Sequence, residues 1–187
     1  MELFLQLWGG CFYLSNKILF SLSESKDPVD KNRIKQYAWL AYIVGAPAWI
    51  ILLIGKHDWI AAAVETGGIP AMLLGLYRSR FHRDAHVAVE LGVKYATYGF
   101  IAIGLALSLH HFGGITALSQ LLEIGVTIGF LLGTYLMTQS NPKGYLFFML
   151  MNISMSLLMG LQEKYILMLQ QLVSLCFVIY GYRHSMR

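Results

Sequence analysis

The chain has 187 residues, of which 57% are apolar and 13% charged, with a formal net charge of +4. A soluble chain averages about 25% charged residues, so this composition excludes a water-soluble globule. The basic residues lie between apolar runs, where positive charge is a topology signal and gives no indication of nucleic-acid binding.

A helix needs about 20 mainly apolar residues to cross a bilayer. In chain order, such spans fall at 2–22, 37–55, 59–77, 95–112, 115–137, 145–161 and 165–182. The expectation is an all-α integral membrane protein with seven transmembrane helices. The first span is the weakest, because it holds Asn16 and Lys17. It is not read as a cleavable signal: Glu2 stands where a basic start belongs, and no small-residue cleavage site follows. Cys11 and Cys176 lie inside apolar spans, where cysteine serves as a small hydrophobe, so no disulfide is expected. The loops 56–58, 113–114, 138–144 and 162–164 are short. Residues 80–92 are basic and read either as a short interfacial helix or as a solvated linker.

Basic residues in alternate loops orient the chain. Eleven fall on one side: Lys26, Lys31, Arg33, Lys35, Arg78, Arg80, Arg83, Lys94, Lys143, Arg183 and Arg187. Two, Lys56 and Lys164, fall on the other. This predicts a cell (inner or plasma) membrane location with a cytoplasmic C-terminus and, with seven spans, an outside N-terminus.

Sliding the sequence on itself by 105 residues places WIILLIGKHDW, 49–59, on SMSLLMGLQEK, 154–164, and GLYRSR, 75–80, on YGYRHS, 180–185. Leu52, Leu53 and Gly55 meet Leu157, Leu158 and Gly160; Asp58 meets Glu163; Tyr77 and Arg78 meet Tyr182 and Arg183. Four spans fit within that offset, so equivalent helices run the same way. The expected plan is 3+1+3: a first three-helix bundle in 1–80, a linker and connector helix in 81–113, and a second bundle in 114–187. Parallel repeats about an axis along the membrane normal are a known transporter plan, with the solute site between the halves. The alternative is a duplication that merely built a stable bundle.

Polar residues within spans are costly and frequently functional. They are Asn16, Glu65, Glu123, Asn152, Gln170 and Gln171. Glu65 and Gln170 are repeat equivalents, as are Pro47 and Asn152. Pro47 and Pro70 each remove a helical hydrogen bond and admit a kink. Asn152 offers two donors and an acceptor to a solute; the plainer role is an interhelical contact worth about 0.6 kcal/mol. Glu65 and Glu123 are candidates for proton sites or for structural carboxyls. Tyr145, Phe148 and Asn152 stand at i, i+3 and i+7, which sets two rings and one amide on one helical stripe. Such a stripe suits a flat heteroaromatic or a sugar, and equally suits plain aromatic packing. His110 and His111 are adjacent and point apart on a helix; His82 and His86 lack an evident third ligand. No enzyme motif, cofactor motif or metal site is expected.

The segment YLFFMLMNISMSLLMGLQEKYILMLQQLVSLCFVIYGYRHS, 145–185, resembles the PnuC family of bacterial vitamin transporters, full-length relatives of the SWEET sugar transporters. That family's W-x-x-W-x-x-x-N stripe reads Tyr145, Phe148, Asn152 here, with the asparagine kept and both tryptophans replaced by other aromatics. The ending Ile179-Tyr180-Gly181-Tyr182 is also similar. The resemblance implies seven helices in the 3+1+3 arrangement and a facilitator for nicotinamide riboside or a related vitamin or nucleoside. It also implies trapping by cytoplasmic phosphorylation in place of a coupling ion. Asn152, Phe148, Tyr145, Glu65, Gln170 and Glu123 are the candidate substrate contacts. The expected partners are a small-molecule substrate and the lipid bilayer, with homo-oligomerisation left open. The alternatives are a sugar or other small-metabolite transporter, or a non-transporting scaffold or receptor on the same bundle.

Overall fold

The computed structural model describes residues 2–55, 59–112 and 118–186, which form seven α-helices and no strand. They are α1 (Glu2–Ser23), α2 (Pro28–Gly55), α3 (Trp59–Phe81), α4 (Val87–Phe112), α5 (Leu118–Thr138), α6 (Lys143–Leu161) and α7 (Tyr165–Ser185). Six of them, α2 to α7, are long and apolar enough to cross a membrane. The chain is an all-α membrane protein. The loops at 56–58 and 113–117, with Lys56 and Asp58, lie outside the described residues, as do Arg187 and the His111 side chain; the Asp58–Glu163 equivalence falls there too.

Several helices outrun their apolar spans at the basic end. α2 starts at Pro28 instead of residue 37, and the local chemistry explains why. Asp27 Oδ1 accepts hydrogen bonds from the backbone N–H of Val29 and Asp30, each at 3.1 Å, as an N-cap does. Pro28 then occupies the first helical position, where its missing N–H is no loss. Over 80–92 there is no separate interfacial helix. α3 ends at Phe81, His82 turns the chain with φ 52°, and α4 begins at Val87.

The helices close into a ring in the order α1–α2–α3–α5–α6–α7, with α7 returning to α1. α4 packs outside this ring, against α3 and α5 only. Neighbours within each triplet are antiparallel: Gly9 of α1 faces Trp49 of α2 while Gly45 faces Tyr13. The two seams between triplets are parallel instead. Across α3/α5, Gly68 faces Phe130 and Arg78 reaches Thr138. Across α1/α7, Gly10 meets Gln170 and Ser21 meets Gly181. Moving every label on by one triplet reproduces the ring and both seams, which is the 3+1+3 parallel plan. The 105-residue offset holds for α2 and α3 against α6 and α7. It does not hold for α1 against α5, because α2 has 28 residues and α6 has 19.

Close approach within a triplet rests on small residues. Gly125, Gly129 and Gly133 of α5 recur every four residues and all face α6. A Cβ on Gly129 would stand 2.6 Å from the Phe147 carbonyl oxygen and 2.7 Å from the Met151 nitrogen, both backbone atoms. Glycine spacing of this kind lets two membrane helices meet backbone to backbone. The outer faces carry exposed Leu3, Ile166 and Leu169. Exposed apolar side chains cost nothing against lipid, and there is little charge among them to attract water.

Candidate solute site

Five helices, α1, α2, α3, α5 and α6, turn polar side chains into the centre of the ring. Lys17 of α1 is buried, with Nζ 3.4 Å from the Tyr42 hydroxyl and 3.2 Å from the centroid of the Phe148 ring. The Tyr42 hydroxyl also lies 3.4 Å from Thr134 Oγ1, and Phe130 meets the Tyr42 ring edge-on. One turn from Lys17 along α1, the Tyr13 hydroxyl donates to Glu65 Oε2 of α3 at 2.5 Å. No ion pair within 4.0 Å joins Lys17 to Glu65 among the described residues.

Two amides complete this centre, each half satisfied. Asn16 Nδ2 donates to the Ala38 carbonyl at 2.9 Å, and Asn152 Nδ2 donates to the Phe148 carbonyl of its own helix at 2.7 Å. The Oδ1 atoms of both residues are buried with no hydrogen-bond partner. A buried polar atom without a partner costs about 1–3 kcal/mol. These two acceptors, one on α1 and one on α6 a turn from the ring that Lys17 covers, are groups that a polar solute would satisfy.

A cleft of about 340 Å³ opens at the basic end of the ring, lined by Asn32, Lys35, Trp39, Arg78 and Thr138 among others. Trp39 separates it from the centre: it lines the cleft, packs edge-on against Phe20 at 4.8 Å and stacks on Tyr42 at 6.3 Å. Two polar latches span the halves here. Arg78 Nη1 donates to the Thr138 carbonyl at 2.9 Å, and its Nη2 pairs with Glu90. On the opposite side, Tyr145 Oη lies 3.1 Å from the Phe20 carbonyl and 3.2 Å from Glu24 Oε1. Glu24 in turn pairs with Lys31 and Lys35.

The structure spreads the expected contacts over four places. Phe148, Asn152 and Glu65 stand at the centre, and Tyr145 stands at the mouth, beside Glu24. The Phe148 face expected to stack on a solute is covered by the Lys17 ammonium. Gln170 serves the α1/α7 seam, where its Nε2 donates to the Gly10 carbonyl at 3.0 Å. Glu123 is exposed near the start of α5, at the end away from the cleft. Pro47, the repeat equivalent of Asn152, is exposed. Sequence reasoning did not assign Lys17, Tyr13, Tyr42, Thr134 or Trp39 to the site. Lys17 carried the one available signal, a charge inside an apolar span.

The Glu24 latch has a pH signature. Burial pushes its carboxyl up, but Lys35 and Lys31 more than offset this and hold it below the ordinary value of 4.5. A depressed folded-state value means the latch stabilises the fold fully above 4.5 and is lost as pH falls through the lower value. Glu24→Gln is expected to cost about 1–3 kcal/mol at neutral pH and to shrink the acid-side fall in melting temperature. Thermal unfolding of both proteins from neutral to acid pH measures it; equal acid sensitivity would remove Glu24 as its source.

Compared with protein-family models, curated proteins and solved structures, the chain matches none, so the fold and the central cluster carry the functional reading.

Proposed function

We propose that the chain is a membrane facilitator for a small polar solute, moved by rocking of two three-helix halves about the central cluster. The observation that carries this is the parallel duplicated ring with Lys17, Asn16 and Asn152 buried and incompletely partnered at its centre. The two seams, α3/α5 and α1/α7, are less extensive than the packing within each triplet, so the halves move as units. Trp39 and the two latches form the gate at the basic end. The positive charge at that end favours a cytoplasmic C-terminus and an outside N-terminus in the cell membrane. The likeness of the Tyr145–Phe148–Asn152 stripe to the PnuC family favours nicotinamide riboside or a related vitamin or nucleoside.

Reconstituted protein is expected to exchange at least one radiolabelled vitamin or nucleoside of a panel that includes nicotinamide riboside across liposomes saturably, with no added accumulation when a proton gradient is imposed. Flux no greater than in protein-free liposomes, for every vitamin and nucleoside of that panel and for sugars, would leave the duplicated bundle as a scaffold or receptor.

A further inference from the structure

Lys17 is the feature that the stripe on α6 does not account for. Its side chain is 3% exposed, yet the ammonium has three donors and a single long hydrogen bond, 3.4 Å to the Tyr42 hydroxyl. The rest of its environment is the Phe148 and Tyr42 rings, at 3.2 and 4.8 Å from their centroids. The Glu65 carboxyl is held by Tyr13 and lies beyond ion-pair contact with Lys17. A buried cation in this position is stabilised strongly by any anionic oxygen brought to it, because the surroundings screen little. The orphaned amide oxygen of Asn152, one turn along α6 from the Phe148 ring that Lys17 covers, asks for an N–H or O–H donor, as does that of Asn16 on α1.

We propose that Lys17 is the anion-recognising residue of the central site and that the solute it selects is a flat heteroaromatic monocarboxylate. This rests on the reading of the centre as a solute site and names its substrate class. A carboxylate is favoured over a phosphate by charge count. One ammonium matches one negative charge, whereas a phosphate dianion would leave a second charge buried without a counter-ion. Arginine, the residue suited to bidentate phosphate recognition, is found at the mouth, as Arg78, and not in the central cluster. Binding would draw Lys17 off the Phe148 face, which frees that ring to stack on the heteroaromatic. The same ammonium disfavours a cationic ring, the pyridinium of nicotinamide riboside included, so within the vitamin and nucleoside class proposed above the selection falls on a carboxylate-bearing vitamin.

The test uses three probes built on one ring: nicotinate, nicotinamide and 1-methylnicotinamide, methylated on the ring nitrogen, with net charges of about −1, 0 and +1 at neutral pH. Calorimetry on the purified full chain is expected to rank them in that order, with nicotinate roughly ten- to a hundred-fold tighter than nicotinamide, the range of a charged hydrogen bond. Lys17→Met is expected to abolish the preference for nicotinate over nicotinamide; Lys17→Arg keeps the charge and is expected to keep the order. Nicotinate failing to bind at millimolar concentration, or binding no better than nicotinamide, would overturn the proposal whether or not Lys17→Met folds. Saturable liposome flux without a carboxylate preference would retain the facilitator and overturn the anion site. A carboxylate preference in binding with no flux of any solute would do the reverse.

Discussion

Gly129→Leu is expected to prevent recovery of folded protein from membranes, and Gly129→Ala to lower its stability by about 1–3 kcal/mol, the usual cost of overpacking. The reason is geometric. At Gly129 the α5 backbone meets the α6 backbone itself, so an added methyl finds the Phe147 carbonyl and the Met151 amide and no side chain able to swing aside. α5 and α6 would have to part, and that also separates Thr134 from Tyr42 and moves Phe148 away from Lys17. The control is on α4, where a Cβ on Gly92 or Gly99 would meet nothing within 4 Å. Gly99→Ala is expected to be neutral or to stabilise by up to about 1 kcal/mol through helix propensity alone. Detergent-solubilised melting temperatures of the variants, with size-exclusion profiles, provide the comparison. Equal stability of Gly129→Ala and Gly99→Ala would mean that α5 and α6 are not in backbone contact.

Much of this arrangement is legible in the sequence. Hydropathy located every helix, because each span must satisfy its own backbone in lipid. The 105-residue repeat disclosed the parallel triplets through a turn glycine, Gly55, and an exit pair, Tyr77 and Arg78. Helix ends were less legible, since the start of α2 depends on the Asp27 cap and not on hydropathy. The stripe on α6 placed Phe148 and Asn152 correctly on one face, as periodicity within one helix can. Periodicity says nothing about which residues of α1 or α2 stand opposite. Lys17 therefore read as an impurity in a weak span, when it lies on the Phe148 ring across the bundle. The repeat also misdirected one assignment: it paired Glu65 with Gln170, but Glu65 faces the centre while Gln170 bonds along the α1/α7 seam. Two copies of a helix keep their position in the ring more faithfully than they keep the use made of one side chain.

Asn152→Leu is expected to weaken binding of the transported solute by about 1–3 kcal/mol, roughly 5- to 150-fold, while leaving the protein as stable as the parent or more so. These opposite signs follow from the same two observations. Asn152 Nδ2 donates only to the Phe148 carbonyl of its own helix, a local bond that fixes no neighbouring helix. Its Oδ1 is buried without a partner, so in the solute-free protein the amide is a net cost and leucine removes that cost. If Asn152 were interhelical glue, leucine would destabilise the bundle and leave the affinity of an intact sample unchanged. Phe148→Ala separates the roles further. It removes the ring beneath the Lys17 ammonium and opens a cavity in the core, so both stability and affinity are expected to fall, stability by about 3–5 kcal/mol. Phe148→Trp keeps an aromatic face for the ammonium and for a stacked solute, and its binding is expected to stay closer to the parent than that of Phe148→Ala. Calorimetry and thermal unfolding on the three variants decide the matter together. A stable Asn152→Leu protein with parental affinity would place the solute away from α6, and a destabilised one with parental affinity would make Asn152 a packing residue.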